Sequence, residues 1–542
     1  MPHVSIFKGG GGDGDGGDGE PKQRAMPIPQ SCRRALSSAT AATTPPRREP
    51  RALSRTTSIN SGSTLVEDAS SAAKKPVKEL IKSMVGGNVH SSYNAQRERE
   101  TWMKKPLFNR EGESSFSSGA DAALRLQQEA IRKDPYQFDL HESIHDITQS
   151  IVPLFEKQPR FAWVMKQLME PERTIMFRVK WVDDDNNMRI NRGYRVQYSS
   201  AMGPFRGGLR FSSSMNYGQM RMHGFEKTLK SALAGEPWGG ASGGADLDVR
   251  GKSPEEMRRF CMAFMQALGP FLQAGGDLLE PGPAVGAKEM DVMLAAYRKH
   301  IDPAAKEATL FAPEAFRKQA DTGRGAALVA GHAMERISKK SVKGLRCALT
   351  GSDARSLALA RALIELGAAP VSFTDATGAL VQPRGFDASD VDALEALLQA
   401  RGRLSEFHHV SSAAAFHDAS TGPVWAHVKG SAELAFPTQS TNEVNADDAA
   451  MLVEGGCRGV FEVADRACST NAVGVLESHK AVFAPSKLVS AVGADQDLNA
   501  HFAALLDAVQ VASVGVGCDP SNLKVGASVL AFSRVASSRM YA

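Results

Sequence analysis

The sequence predicts an α/β chain of more than one domain, part of it built on a parallel sheet. Three observations carry this. At 542 residues the chain exceeds one hydrophobic core, and about two to three domains is the expectation at that length. Residues 175–180 and 194–198 alternate apolar and polar side chains as strands do, between stretches of helical spacing. Residues 345–375 then read strand, turn, helix, strand, the order that produces a parallel sheet.

From the N-terminus, residues 1–76 are low in complexity. Gly9–Gly19 alternates glycine with aspartate and cannot bury a core. It lacks Gly-Lys-Ser/Thr and a flanking strand, so it is not a phosphate loop. From Met26 the sequence carries Arg33, Arg34, Arg47, Arg48, Arg51 and Arg55 among Ser, Ala and Thr, with Glu49 the sole acid up to Thr64. That composition predicts an organelle transit segment, or else a disordered basic tail. The acidic stretch ahead of it fits import only if translation begins at Met26. Residues 77–130 read as a docked extension. Residues 141–168 have apolar spacing near 3.6 and predict a helix. Helices follow at Met220–Leu233 and Pro254–Leu268, the second opened by a Ser253 cap with acids behind it.

A second α/β unit starts near residue 316. Leu345–Thr350 is a strand, Gly351-Ser352-Asp353 a turn, Ala354–Leu366 a helix and Val371–Asp375 the next strand. Further strands are predicted at Leu434–Phe436, Gly459–Glu462 and Ala481–Ala484, and a last helix at Val525–Tyr541.

Composition narrows the function. Lys and Arg total 64 against 60 Asp and Glu, a net charge of +4, much of it in the first hundred residues. A nucleic-acid binder needs a basic face that this leaves out. No apolar run is long enough to span a bilayer. The cysteines Cys32, Cys261, Cys347, Cys457, Cys468 and Cys518 form no Cys-x-x-Cys pair and no cluster with metal-ligand spacing. Scattered single thiols in a large chain predict a reducing compartment.

The residues that carry chemistry centre on Pro237-Trp238-Gly239-Gly240-Ala241-Ser242-Gly243-Gly244-Ala245-Asp246. Read as a loop, this small-residue run lets backbone approach a substrate. Its central side chain is a hydroxyl, with no histidine or lysine in the run to activate it. The flanking Pro171-Glu172-Arg173-Thr174, Gly203-Pro204-Phe205-Arg206-Gly207-Gly208-Leu209-Arg210-Phe211 and Gly224-Phe225-Glu226 resemble the NADP-type hexameric glutamate dehydrogenases. The resemblance is dense over residues 140–262 and thinner beyond.

The resemblance implies a two-domain glutamate dehydrogenase-like fold. Residues 131–315 would form the substrate domain, 316–500 a Rossmann-like nucleotide domain, and 501–542 helices returning to the first domain. It also implies which groups are missing. The family's loop reads Gly-Gly-Gly-Lys-Gly-Gly with a catalytic lysine, and Ser242 takes that lysine's place. The family's Asp-x-Pro-Ala-Gly-Asp carries a catalytic aspartate, and without gaps Gly282 stands there, with Glu280 the nearest carboxylate. Losing one general acid–base group costs about 10²- to 10⁴-fold in rate. Arg206, Lys227 and Lys230 fall where the family grips substrate carboxylates: Arg206 replaces a lysine, Lys227 replaces a glutamine and Lys230 is retained. The family's substrate-touching serine from the late helix has no counterpart near Gly493–Leu498.

For an NAD(P) cofactor the resemblance points to Thr322, Gly351, Ser352, Asp375 and Asn442 with Glu443, while Asp465 and Ser490 replace asparagines placed around the nicotinamide. The dinucleotide fingerprint Gly-x-Gly-x-x-Gly/Ala becomes Gly351-Ser352-Asp353-Ala354-Arg355-Ser356. Asp353 stands where the pyrophosphate comes closest, and two like unit charges about 4 Å apart repel by roughly 4 kcal/mol at an effective dielectric near 20. It reads more naturally as a helix N-cap.

Two functions follow as expectations. One is a catalytically silent paralogue serving as a structural or regulatory subunit of a homo- or hetero-oligomer, or of a larger mitochondrial assembly. The other is an active glutamate or amino-acid dehydrogenase that uses Glu280 as substitute base. The expected location is mitochondrial, otherwise cytoplasmic.

Overall fold

The structure, a computed structural model, describes residues 115–538 apart from 273–274, 312–314, 401, 410–412 and 494–496. The expectations for residues 1–76, and for the extension up to residue 114, lie outside the described residues.

Helix α1 (Gly119–Lys133) opens on a Ser118 cap that accepts from the Asp121 amide. The stretch 141–168 is not one helix but three: α2 (Phe138–Ser150), α3 (Val152–Lys157) and α4 (Arg160–Leu168). Pro153 opens α3 and Pro159 precedes α4. Proline has no amide hydrogen, so the periodic pattern continues across both breaks while the hydrogen-bond ladder does not.

A five-stranded sheet follows. Strands β1 (Arg173–Val182) and β2 (Met188–Ser199) pair antiparallel, with Arg178 opposite Arg192. Then come β3 (Phe205–Phe211), α5 (Tyr217–Ala234), β4 (Gly240–Ala245), α6 (Pro254–Leu268), β5 (Asp277–Glu280) and α7 (Ala287–His300), giving the order β1-β2-β4-β3-β5. The Ser253/Glu256 capping box that starts α6 is formed as its sequence anticipates.

The glycine-rich run is the main departure from expectation. It is no loop: Gly240–Ala245 is the central strand β4, buried along its whole length. Glycine and alanine are poor strand formers, but nothing larger fits. A Cβ on Gly240 would stand 2.0 Å from Thr228 Oγ1 on α5, and one on Gly243 2.7 Å from Leu209 Cδ2. Close packing of a helix over the sheet selects the small residues.

Helix α8 (Ala315–Ala333) leads to the second sheet. Its elements are β6 (Arg346–Leu349), α9 (Ala354–Glu365), β7 (Ala369–Thr374), β8 (Gly378–Val381), α10 (Ala388–Gln399), β9 (Ala415–Asp418), α11 (Val424–His427), β10 (Leu434–Phe436), α12 (Ala446–Glu454), β11 (Gly459–Phe461), α13 (Thr470–Ser478) and β12 (Val482–Ala484). The strand order is β12-β11-β10-β6-β7-β8-β9. The first five are parallel, as the strand–helix–strand pattern requires. Strands β8 and β9 add an antiparallel edge that the sequence reading did not foresee. After α14 (Ser486–Val489) and α15 (Leu498–Gly515), α16 (Leu523–Ala536) packs back on the first sheet's helix. Arg534 donates to the Ala232 and Leu233 carbonyls at the C-terminal end of α5, where a cation meets the negative end of the helix dipole. One buried apolar cluster runs through both regions, from Leu126 through Phe225 and Leu349 to Phe532.

Candidate active site

A cavity of about 560 Å³ opens between α5, the ends of β4 and β5, the start of α9 and the segment after β11. The register of the sheet brings its wall together. Gly208 pairs with Glu280 across β3 and β5, and Ser242 lies opposite Val196 across β4 and β2.

Ser242 lines this cavity but is nearly enclosed, at 3% exposure. Its hydroxyl donates to the Met220 carbonyl at 2.5 Å. A serine has a single O–H hydrogen, and here the α5 backbone holds it, so no side-chain base takes it. Gly282 closes a tight turn, bonding to Val285 in both directions. A Cβ at 282 would lie 2.3 Å from the Leu209 carbonyl oxygen, so this backbone admits no side chain there.

Around these positions stand two ion clusters. In the first, Glu280 accepts from Arg206 Nε at 2.6 Å and from Lys227 Nζ at 2.8 Å, while Lys318 Nζ is 4.0 Å away. Lys318 also holds Glu236 at 3.0 Å. Arg206 is wholly buried, with its guanidinium over the Trp238 ring at 5.5 Å. Three cations thus share two carboxylates. Burial alone would raise the Glu280 pKa, but Lys227, Lys318 and Arg206 outweigh it and hold the carboxyl well below the usual range. Burial first, joined by Lys318 and Arg206, draws the Lys227 ammonium below an ordinary lysine despite Glu280 and Glu236.

In the second cluster Asp465 accepts from Lys230 Nζ at 2.6 Å and lies 3.2 Å from His223 Nδ1 and 3.6 Å from Arg210. Arg210 reaches His223 Nε2 at 2.6 Å. Arginine can only donate, so Nε2 is the acceptor and the ring hydrogen sits on Nδ1, facing Asp465. Burial opposes the Asp465 charge, yet Lys230, His223 and Arg210 keep its carboxyl well below the usual range. Burial first, then Arg210, pulls the His223 pKa down to about 4.

That last shift makes a prediction. An unfolded histidine titrates near 6.5. Between about pH 6.5 and about pH 4 the unfolded chain binds the extra proton, so stability falls as the pH drops through that window. His141, also lowered to about 4 by burial, acts in the same direction. Urea denaturation near pH 7 and near pH 4.5 is expected to show this loss in the wild type, and a smaller one in His223→Gln.

At the other end of the cavity Asp353 caps α9, accepting from the Arg355 and Ser356 amides at 3.1 Å each. Its second oxygen pairs with the Arg355 guanidinium at 2.8 Å. The free amides of a helix start are what a phosphate group would use, and here the chain's own carboxylate holds them. Thr322 lines the cavity and donates its hydroxyl to the Lys318 carbonyl.

Residues 171–299 match the family described as Glu/Leu/Phe/Val dehydrogenase, dimerisation domain, and residues 316–495 match Glutamate/Leucine/Phenylalanine/Valine dehydrogenase. The NADP-specific glutamate dehydrogenase of Neurospora intermedia is 38% identical over 338 residues, covering 60% of this chain and 72% of that protein. The chain belongs to the Glu/Leu/Phe/Val dehydrogenase family. The NADP-specific glutamate dehydrogenase of Giardia intestinalis is 30% identical over 435 residues, 75% of this chain and 95% of its own. Among solved structures, glutamate dehydrogenase from Plasmodium falciparum superposes with a TM-score of 0.71 at 26% identity, over 80% of this chain and 99% of that one.

Within this dehydrogenase fold the structure gathers Ser242, Gly282, Lys227, Lys230 and Thr322 around one cavity, with Arg206 behind Glu280. Asp465 and Ser490 line it as well, whereas Gly351, Ser352, Asp375 and Asn442 stand apart from its wall. Gly351, at φ 72°, binds the Thr374 hydroxyl through its amide, and Ser352 follows in the same turn. Asp375 closes the β7–β8 turn by accepting from the Thr377 and Gly378 amides. Asn442 bonds Asp139 through its side chain and Arg466 through its amide. Glu280, the substitute base of the sequence reading, is paired with Arg206 and Lys227, and those cations keep its carboxyl well below the usual range, which makes it a weak proton acceptor. Sequence reasoning missed Lys318, Glu236 and His223, for which no motif gave a signal.

Proposed function

We propose that this chain is a glutamate dehydrogenase-fold subunit without ordinary turnover, acting as a structural or regulatory partner in an oligomer. The observation that carries the reading is Ser242: where the family supplies an ionisable amine, a buried hydroxyl is bonded to backbone. Asp353 supports it, because a helix start already occupied by a carboxylate does not fit a dinucleotide pyrophosphate. The composition of residues 26–64 supports mitochondrial import of the subunit, which a fluorescent fusion of the full chain checks.

Purified protein given 2-oxoglutarate, ammonia and NADPH is expected to oxidise the cofactor at least about a hundredfold more slowly than an active relative, the low end of losing one acid–base group. A rate equal to that relative's sinks the proposal.

One observation favours a second reading. Lys227 brings an ammonium with a lowered pKa to the cavity that Ser242 lines. An active amino-acid dehydrogenase could use it in place of the absent lysine. Glu280 opposes this by holding that ammonium at 2.8 Å. If turnover is found, Lys227→Gln must abolish it for this reading to stand.

A further inference from the structure

Two groups of basic side chains stand in or directly behind the cavity wall, and each already closes on a carboxylate. Arg206 and Lys227 take both oxygens of Glu280, at 2.6 and 2.8 Å, with Lys318 at 4.0 Å. Lys230 takes one oxygen of Asp465 at 2.6 Å, and His223 and Arg210 flank the other at 3.2 and 3.6 Å. Two or three cationic donors converging on one carboxylate is how a protein holds a carboxylate ligand. Here the held groups are side chains of the protein itself. They come from separate elements, Glu280 ending β5 and Asp465 following β11, and both line one cavity of about 560 Å³.

We infer that Glu280 and Asp465 are specificity-determining residues that fill the cavity's two carboxylate positions and so exclude dicarboxylate ligands. The energetic argument is one of competition. A dicarboxylate entering the cavity must either displace both side chains, leaving the buried Glu280 and the half-buried Asp465 unpaired, or bring its own charges against them. Stranding a buried charge is costly. The internal carboxylates are tethered and hold their positions without the translational entropy that a free ligand loses on binding. The side chains therefore win at ordinary ligand concentrations.

This deepens the reading of the site as a silent dehydrogenase cleft and rests on it, but it is tested by binding rather than by turnover. The substitutions are Glu280→Gln and Asp465→Asn, each removing a charge with little change of shape. Glutarate is the probe, with propionate as the single-carboxylate control, and calorimetry is run without cofactor. Each substitution is expected to tighten glutarate at least about tenfold over the wild type, and the double variant further, with a smaller gain for propionate. Glutarate is also expected to raise the melting temperature of the double variant and leave that of the wild type unchanged, since a ligand stabilises only the state that binds it.

A wild type whose melting temperature glutarate raises overturns the inference, and that result needs no variant to fold. A double variant with wild-type circular dichroism and no gain in glutarate affinity overturns it as well. Should the double variant fail to fold, the two single variants are read in its place by the same criteria. Turnover is scored apart: a wild type that oxidises NADPH at an ordinary rate defeats the functional proposal, whereas one that binds glutarate without turnover defeats only this inference.

Discussion

Asp277→Ala is expected to lose about 3–5 kcal/mol of folding stability, the cost of breaking a buried ion pair by removing one partner. Asp277 and Arg195 are both fully buried. The Arg195 guanidinium engages both Asp277 oxygens and also donates to the Gly207 and Leu278 carbonyls, at 3.1 and 3.2 Å. Gln197 adds a further bond to Asp277 at 2.9 Å. The pair thus ties β2 to β3 and β5 beneath the cavity, and β5 ends at Glu280. Without the carboxylate, a guanidinium is left in the core with no counter-charge. Replacing both partners by apolar residues, Arg195→Met with Asp277→Leu, is expected to recover most of the loss, because neither charge is then stranded. Urea denaturation of the three proteins checks this. A loss under about 1 kcal/mol for Asp277→Ala contradicts it, since that is the range of solvent-exposed pairs.

The same contrast between local and distant partners explains what the sequence made legible. Asp353 could be read as a helix cap because its partners lie two and three residues ahead. The capping box of α6 and the strands β10, β11 and β12 were legible for the same reason: each is encoded within a few residues. The ion clusters are built otherwise. Arg206 and Glu280 are 74 residues apart, and Lys230 and Asp465 are 235 apart. No spacing rule joins them. Lys227 therefore read as a free anion grip and Glu280 as a spare base, although each is the other's partner. Strand β4 failed differently. Local propensity describes Gly240–Ala245 as a loop, and only the helix packed across it makes a glycine strand the stable choice. That positions 242 and 282 carry a serine and a glycine, where the resemblance implies a lysine and an aspartate, was plain from the residues themselves. That Gly282 has no room for a side chain was not, because the obstacle is the carbonyl of Leu209, far away in sequence.

That obstacle governs the second large effect. Ser242→Lys combined with Gly282→Asp introduces the two residue types that the resemblance implies are catalytic, yet the double variant is expected to stay at least about a hundredfold below an active relative in NADPH-dependent turnover. The aspartate Cβ would begin 2.3 Å from a backbone oxygen, so the β5 turn must shift, at a cost of about 1–3 kcal/mol for overpacking. The new lysine gives up the hydroxyl bond to Met220 and enters a cavity that Lys227, Lys230 and Lys318 already line. Another ammonium at about 4 Å from one of these adds roughly 4 kcal/mol of repulsion at an effective dielectric near 20. Charge layout and catalytic groups must therefore change together. Adding Lys227→Gln, Glu280→Ala and Asp465→Asn removes one cation and both internal carboxylates, and is expected to raise turnover above that of the double variant. Steady-state rates of the double and the fivefold variant, measured beside an active relative, decide the matter. A double variant within about tenfold of that relative would mean that the pocket was intact all along and lacked only its two side chains.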